Sequence, residues 1–320
     1  MTSDRIAAIE QLGYDRREAE FLCLATLHSG SFIARHYTDF CQTAPGRVRD
    51  VFAKKLARLQ HTRDHRTLNR TIIHQIRKPV FRAIGEVDNK NRRFASDLLT
   101  RRRMMSLDYV LRNYDQHFLP TEDDKVSYFT DKLGIPYSAL PDRVYTAKTK
   151  ARGATTKFFI HKFPVFTRPD GAAVCYIDSD GSMQAFATFI KAYRCLLSSL
   201  REASLIYVTT NPMHFLAAQS CFERARNNAP PGRDFLEMEL QFRERKILEA
   251  TPLSAMTVAQ IKRLKELRAF PDARLFHGWE AVGIDELRRE EEKKFAVGTT
   301  DHVAFSLSVL PCEYSFLGPV

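Results

Sequence analysis

Hydrophobic positions in the first 60 residues recur at the three- and four-residue spacing of amphipathic helices. Ile6, Ile9 and Leu12 predict a short helix over 4–13 that Gly13 stops. Asp15 is placed to cap a second helix, with Glu18 three residues on as its capping-box partner. Ala19, Leu22, Cys23 and Leu27 share one face of that helix, and Ser29-Gly30 end it. A third helix is expected from Phe32 to about Cys41. Thr43-Ala44-Pro45-Gly46 reads as a turn, with Thr43 as N-cap and Pro45 suited to the first turn of a fourth helix over 45–60. There Val48, Phe52, Leu56 and Leu59 form the face that must pack on the preceding helices. Arg47, Asp50, Lys54 and Arg58 lie opposite, with Arg49 at the flank.

After Gln60 the period changes. The run 61–66 is polar and turn-rich, and 67–77 and 78–84 are rich in β-branched residues (Thr71, Ile72, Ile73, Ile76, then Val80, Ile84), which predicts a hairpin ended by Gly85. A polar, Arg-rich helical region follows over 88–115, with an apolar stripe of Phe94, Leu98, Met105, Val110 and Leu111. A helix over 121–133, a Pro-containing link and an exposed loop at Lys148–Gly153 complete a connector. From 155 the pattern is α/β. Strands are expected over 156–167, 172–177, 205–208 and 303–310, and helices over 182–202, 213–226, 233–249, 257–268 and 284–295. Leu205-Ile206-Tyr207-Val208 is the continuous apolar run of a strand buried on both faces.

Charge sharpens this picture. Residues 44–82 hold eleven Arg and Lys against two acids, a net of +9, while all 320 residues carry only +11. Residues 119–320 are close to neutral, with 27 basic and 25 acidic side chains. Charge concentrated on one helix, a turn and a hairpin points to a polyanionic partner. The plain alternative is a solvated basic face on a structural helical hairpin.

Other features narrow the class. The six cysteines (Cys23, Cys41, Cys175, Cys195, Cys221, Cys312) are scattered without a C-x-x-C pair, so no metal and no cofactor is expected. No run approaches the ~20 apolar residues of a membrane span, and the N-terminus lacks a signal-peptide core. A cytoplasmic protein without membrane partners is expected.

The order helix, turn, basic helix, basic hairpin resembles winged helix-turn-helix DNA-binding domains over about residues 14–85. The likeness rests on Ala19–His28, Ser31–Cys41, Thr43-Ala44-Pro45-Gly46, Arg47–Leu59 and the hairpin after it. It implies double-stranded DNA as partner, with the 45–60 helix in the major groove and its N-terminal residues nearest the bases. Arg47 and Arg49 could then pair with guanine, and Lys54, Arg58, Arg63, His65, Arg66 and Arg70 meet phosphates. The arginines at 92–93 and 101–103 either extend that footprint or are helix surface. The whole arrangement is similar to replication-relaxation-type proteins of mobile elements, which join an N-terminal winged helix to a nuclease-like α/β domain.

Two stretches tempt an enzymatic reading. Val174–Ser182 is an apolar strand ending in Asp178-Ser179-Asp180-Gly181, and Leu205–Asn211 is one ending in Thr-Asn. Together they look like the first two motifs of haloacid-dehalogenase-type phosphatases, which would make Asp178 the nucleophile and Asp180 an acid/base. No Gly-Asp-Asp-like strand end follows to hold Mg²⁺, and Asp-Ser-Asp-Gly is also good turn chemistry. A restriction-type nuclease would need an acid-x-Lys on the strand after Asp170 or Asp178, and 204–210 offers none.

The expectation is therefore an α+β or α/β protein in three parts. Residues 1–85 form a winged helix-turn-helix, 86–154 a helical connector, and 155–320 a mixed α/β sheet domain for sensing, interaction or a degenerate nuclease-like role. Function is sequence-specific DNA binding in transcriptional control or mobile-element maintenance. Homodimerisation through the C-terminal part would suit two half-sites, and a small-molecule or protein effector is left open. The rival reading is a metal-dependent enzyme on DNA or phosphate esters using Asp178 and Asp180.

Overall fold

A computed structural model of the chain describes residues 3–44, 46–67, 69–93, 95–146, 154–159, 162–227, 233–268, 302–312 and 314–317. The chain divides into two compact units, residues 1–223 with 300–320, and residues 224–299. The described residues form eleven α-helices and three sheets, a mixed α/β class. None of these helices is long and apolar enough to cross a membrane.

The first helices follow their hydrophobic spacing. Helix α1 spans Ser3–Glu10 and α2 spans Arg16–His28. The α2 capping box forms as expected: Asp15 Oδ1 accepts the Glu18 N–H at 2.9 Å, and Glu18 Oε2 accepts the Asp15 N–H at 3.0 Å. Beyond Gly30 comes a strand that periodicity could not show, β1 (Ser31–Ile33), so the next helix, α3, begins only at Ala34 and runs to Cys41. Helix α4 covers Arg47–Leu59 with Gly46 at its N-cap; Thr43 does not cap it, and Pro45 lies outside the described residues. Phe52 anchors α4, stacking on Tyr37 at 4.0 Å between ring centroids, with Phe21 and Phe32 at 5.8 and 6.2 Å.

The hairpin is offset from its expected place. Its strands are β2 (Thr62–Arg66) and β3 (Ile72–Ile76), and residues expected in its second arm form helix α5 (Lys78–Ala83). The β-branched content at 71–84 concealed two periods. Val80, Phe81 and Ile84 are spaced for one helical face and enter the core, and Pro79 suits a helix's first turn. The polar run 61–66 is a strand because it is an edge; β1, β3 and β2 form an antiparallel sheet in that order, and charged side chains are at home on an edge.

Gly30 makes this sheet possible. Its φ is +76°, and a Cβ there would lie 2.1 Å from the Asn91 carbonyl oxygen, while its own carbonyl accepts the Ile76 N–H at 2.9 Å. Gly30→Ala is expected to cost about 2–4 kcal/mol from backbone strain and overlap together. A urea melt within about 0.5 kcal/mol of wild type would show that the segment relaxes freely.

Helix α6 (Asp97–Arg112) buries Met104, Met105, Leu107 and Val110; of the expected stripe, Leu98 is exposed and Phe94 lies outside the described residues. Helix α7 (Glu122–Ser127) passes into a π-turn at Tyr128–Lys132. The expected single strand 156–167 is two: β5 (Ala154–Phe158), paired antiparallel with β4 (Asp142–Thr146), and β6 (Val165–Arg168). Positive φ at Phe159 and Lys162 turns the chain between them. The predicted loop at Lys148–Gly153 and helix at 284–295 lie outside the described residues.

The main sheet runs β6, β7 (Gly171–Ile177), β8 (Glu202–Thr209), β9 (Ala304–Val309). β6 is antiparallel to β7, and β7, β8 and β9 are parallel. Helix α8 (Met183–Ser199) crosses over between β7 and β8 with Phe186, Phe189, Ile190, Tyr193, Leu196 and Leu197 buried, as its spacing predicts. β7 is buried along its whole length, the mark of a strand covered on both faces. Helix α9 (Phe215–Asn227) follows β8. In the second unit α10 (Arg233–Ala250) and α11 (Val258–Arg268) pack through Leu248, Leu264 and Leu267.

Candidate nucleic-acid interface

Helix α4 is held by one face and leaves the other bare. Phe52 and Leu56 are buried and Leu59 partly so, and Lys55 ties the helix to α2 through an ion pair with Glu18 and a position 5.4 Å above the Tyr14 ring. At 3.6 residues per turn, Arg47, Val51, Lys54 and Arg58 fall within roughly 60° of arc on the outer side. All four are exposed, and the three cations have no hydrogen-bond or ion-pair partner among the described residues. Val48, expected in the core, is 47% exposed, and Val51 is 53% exposed. Arg49 lies ~200° round from Arg47, on the packed side. It is half-buried, with its Nε donating to Asp50 Oδ1 at 3.0 Å.

The hairpin sorts the remaining candidates by register. Arg63 stands opposite Gln75, Asp64 opposite His74, His65 opposite Ile73 and Arg66 opposite Ile72, so successive residues alternate faces. The Asp64 and His74 side chains join at 2.8 Å, and His74 packs beside Phe32. Arg66 therefore shares the helix-side face of the ribbon. Arg70 sits in the turn with a left-handed φ of 61°, fixed by its N–H to the Thr67 carbonyl at 3.0 Å. Both are exposed and unpaired among the described residues. Arg63 and His65 are on the reverse face. The His65 ring nitrogen bonds Gln75 Oε1 at 3.0 Å, and Arg63 borders a shallow cleft of ≈ 480 Å³ with Arg77, Lys78 and Arg92.

The arginine cluster of α6 is spent inside the fold. Arg101 is buried, its guanidinium 3.4 Å from the Ser179 carbonyl. Arg102 donates to Ser179 Oγ at 3.2 Å and approaches Asp180 at 3.8 Å. Arg103 donates to the carbonyls of Lys90, Asn91 and Arg93.

Asp178 ends β7 and its oxygens are fully engaged. Oδ1 accepts the Gly181 and Asp180 N–H groups at 2.8 and 3.4 Å; Oδ2 accepts the Tyr207 hydroxyl and joins His214 Nδ1 at 2.9 Å. Asp180 Oδ1 accepts the Ser182 N–H at 3.3 Å, and Thr209 Oγ1 accepts that of Asn211 at 3.1 Å. Carboxylates and hydroxyl alike thus build the turns at the strand ends. His214 is the partner that sequence reasoning missed, because it lies 36 residues from Asp178. No group of three His, Cys, Asp or Glu side chains among the described residues is placed to hold a metal ion.

Comparison of the chain with protein-family models, curated proteins and solved structures finds no match.

Proposed function

We propose that the N-terminal 85 residues are a winged helix-turn-helix module that binds double-stranded DNA, with α4 in the major groove and the 67–71 turn against the backbone. The observation that carries this reading is the outer face of α4, where three unpaired cations flank an exposed valine. A folded helix gains nothing from leaving Val51 in water. In a major groove its methyls would meet a thymine methyl, while Arg47, at the helix N-terminus, reaches guanine O6 and N7. Lys54, Arg58, Arg66 and Arg70 would contact phosphates on either side. Arg63 faces away and contributes through long-range attraction alone.

The rest of the first unit would serve as a regulatory body rather than a catalytic one, because Asp178 is engaged by its own turn, Tyr207 and His214, and Asp180 by the Ser182 N–H and Arg102. Sequence-specific control of transcription or of a mobile element fits such a design. A homodimer would read half-sites about 34 Å apart.

Selection from a random pool of duplex DNA tests the reading, run at low salt with and without Mg²⁺ and followed by sequencing. We expect intact, sequence-enriched DNA under both conditions. Retention without enrichment would reduce the module to an electrostatic binder. DNA shortened in the presence of Mg²⁺ would move the function to a nuclease, and no retention at all would refute DNA binding.

A further inference from the structure

A second feature lies away from α4. A cavity of ≈ 540 Å³ opens within the first unit. On one side are the end of α2 and the segment 85–90, and on the other are residues 119–123 with Lys125, 157–159, Lys162 and Phe163. Its size is that of a small-molecule site. Leu27, Leu119, Pro120, Phe159 and Phe163 supply apolar wall.

Lys125 forms part of this wall and is 3% exposed. Its Nζ donates one hydrogen bond, to the Phe163 carbonyl at 2.9 Å, and lies 5.7 Å from the Phe159 ring centroid. An ammonium has three donors, and no carboxylate among the described residues stands within ion-pair distance of this one. Lys162 lines the same cavity and is likewise without a counter-ion among the described residues, its Nζ donating to Asn89 Oδ1 at 3.2 Å. The nearby acids are otherwise engaged or at the rim. Glu86 holds Arg5 and Asn89, Glu122 accepts the Phe158 N–H at 2.8 Å, and Asp88 and Asp123 are exposed.

Burying a lysine without a counter-charge is costly, and folded proteins avoid it. The cost registers at Lys125, where burial first and then repulsion from Lys162 bring the amine down to about 8. His28 beside them is driven to about 3 by burial and by Lys125, so it is neutral and offers no competing charge at pH 7. Two under-compensated ammonium groups on one half-apolar cavity define what is missing there.

We propose that this cavity is the binding site of a small organic anion, with a carboxylate or phosphate head on Lys125 and Lys162 and an apolar body against Leu119 and Phe159. Such a ligand supplies the absent counter-charge and acceptors for the unused N–H donors. It would touch both the helical N-terminal part and the main sheet's approach segments, so its binding stabilises the unit as a whole.

Thermal unfolding of the full chain tests this without DNA, so its outcome is separate from that of the DNA-binding reading. The probes are phenyl phosphate, phenylacetate and neutral benzyl alcohol at pH 7 and constant chloride. At about tenfold above its Kd, either anion is expected to raise the midpoint by roughly 3–6 °C, and benzyl alcohol is expected to do nothing. Which anion acts identifies the head group. Lys125→Met should abolish the shift while melting at or above the wild-type temperature, because it removes a buried charge. Should that variant fail to fold, Lys162→Gln, at an exposed position, is expected to weaken anion binding by about tenfold through loss of a charge-assisted contact. No shift with either anion, an equal shift with benzyl alcohol, or unchanged affinity in Lys162→Gln would overturn the proposal.

Discussion

Replacing Arg47 and Lys54 together by Ala is expected to weaken duplex DNA binding by about 10³-fold at 0.1 M salt. Each phosphate contact contributes about 0.9 to the slope of log K against log salt, and so nearly a decade at 0.1 M relative to 1 M. Removing Lys54 accounts for that decade, and Arg47 adds a bidentate base contact of ~1–3 kcal/mol to its own electrostatic share. With the four cations placed at phosphates the wild-type slope should lie near −4, and the double variant should be shallower by about 1–2. Arg49→Ala supplies the contrast. Its guanidinium is half-buried on the packed side of α4 and tied to Asp50, so affinity should change by less than about threefold. Equal losses in the two experiments would mean that the bare face of α4 is not the contact surface, and that charge content alone attracts DNA.

The second large effect belongs to Asp108, deep in α6. Its two oxygens accept both Nη groups of Arg35 at 2.9 and 2.8 Å, His36 Nε2 lies 3.3 Å away, and the Tyr314 hydroxyl closes the cluster. His36 is oriented by the Ile33 N–H, which donates to its Nδ1 at 3.1 Å. Three stretches of the chain, α3, α6 and Tyr314 just before the Ser315–Leu317 turn, thus meet on one carboxylate. Asp108→Ala would take the carboxylate from the fully buried His36 and leave the partly exposed Arg35 with Asp39 as its remaining acid, and is expected to cost about 3 kcal/mol in a urea melt. A loss below about 1 kcal/mol would show that water replaces the carboxylate readily.

The same residue sets an acid dependence. Burial works to raise the Asp108 pKa, but His36 and Arg35 overcome it and hold the carboxyl well below the usual carboxylate range. A depressed carboxyl contributes stability above its unfolded pKa of about 3.9 and loses it as pH falls toward the lower folded value. Stability of the wild type should therefore fall between about pH 5 and pH 2 more steeply than that of Asp108→Ala. Because α3 carries Tyr37, which stacks on Phe52, the variant should also loosen the seat of α4 and bind DNA more weakly even where it remains folded.

Much of this protein can be read from local pattern. The α2 capping box, the core faces of α2 and α8, and the doubly buried run in β8 all follow from spacing, because each is decided by neighbours within a turn or a strand. The concentration of charge in residues 44–82 is likewise a property of the sequence alone. What pattern could not decide was set by contacts between distant residues. Strand β1 is three residues long and exists because β3, more than forty positions on, pairs with it. The hairpin moved to 62–76 because an edge strand tolerates polar residues, and because Val80, Phe81 and Ile84 gain more as a helical core face than as a strand. The arginines at 101–103 became internal fasteners because the 178–180 and 90–93 turns lie against α6. Val48 could be separated from Phe52 only once the packed side of α4 was known. The cavity at Lys125 is the extreme case: a buried cation that no carboxylate among the described residues reaches has no local signature, since it is defined by distant parts of the chain.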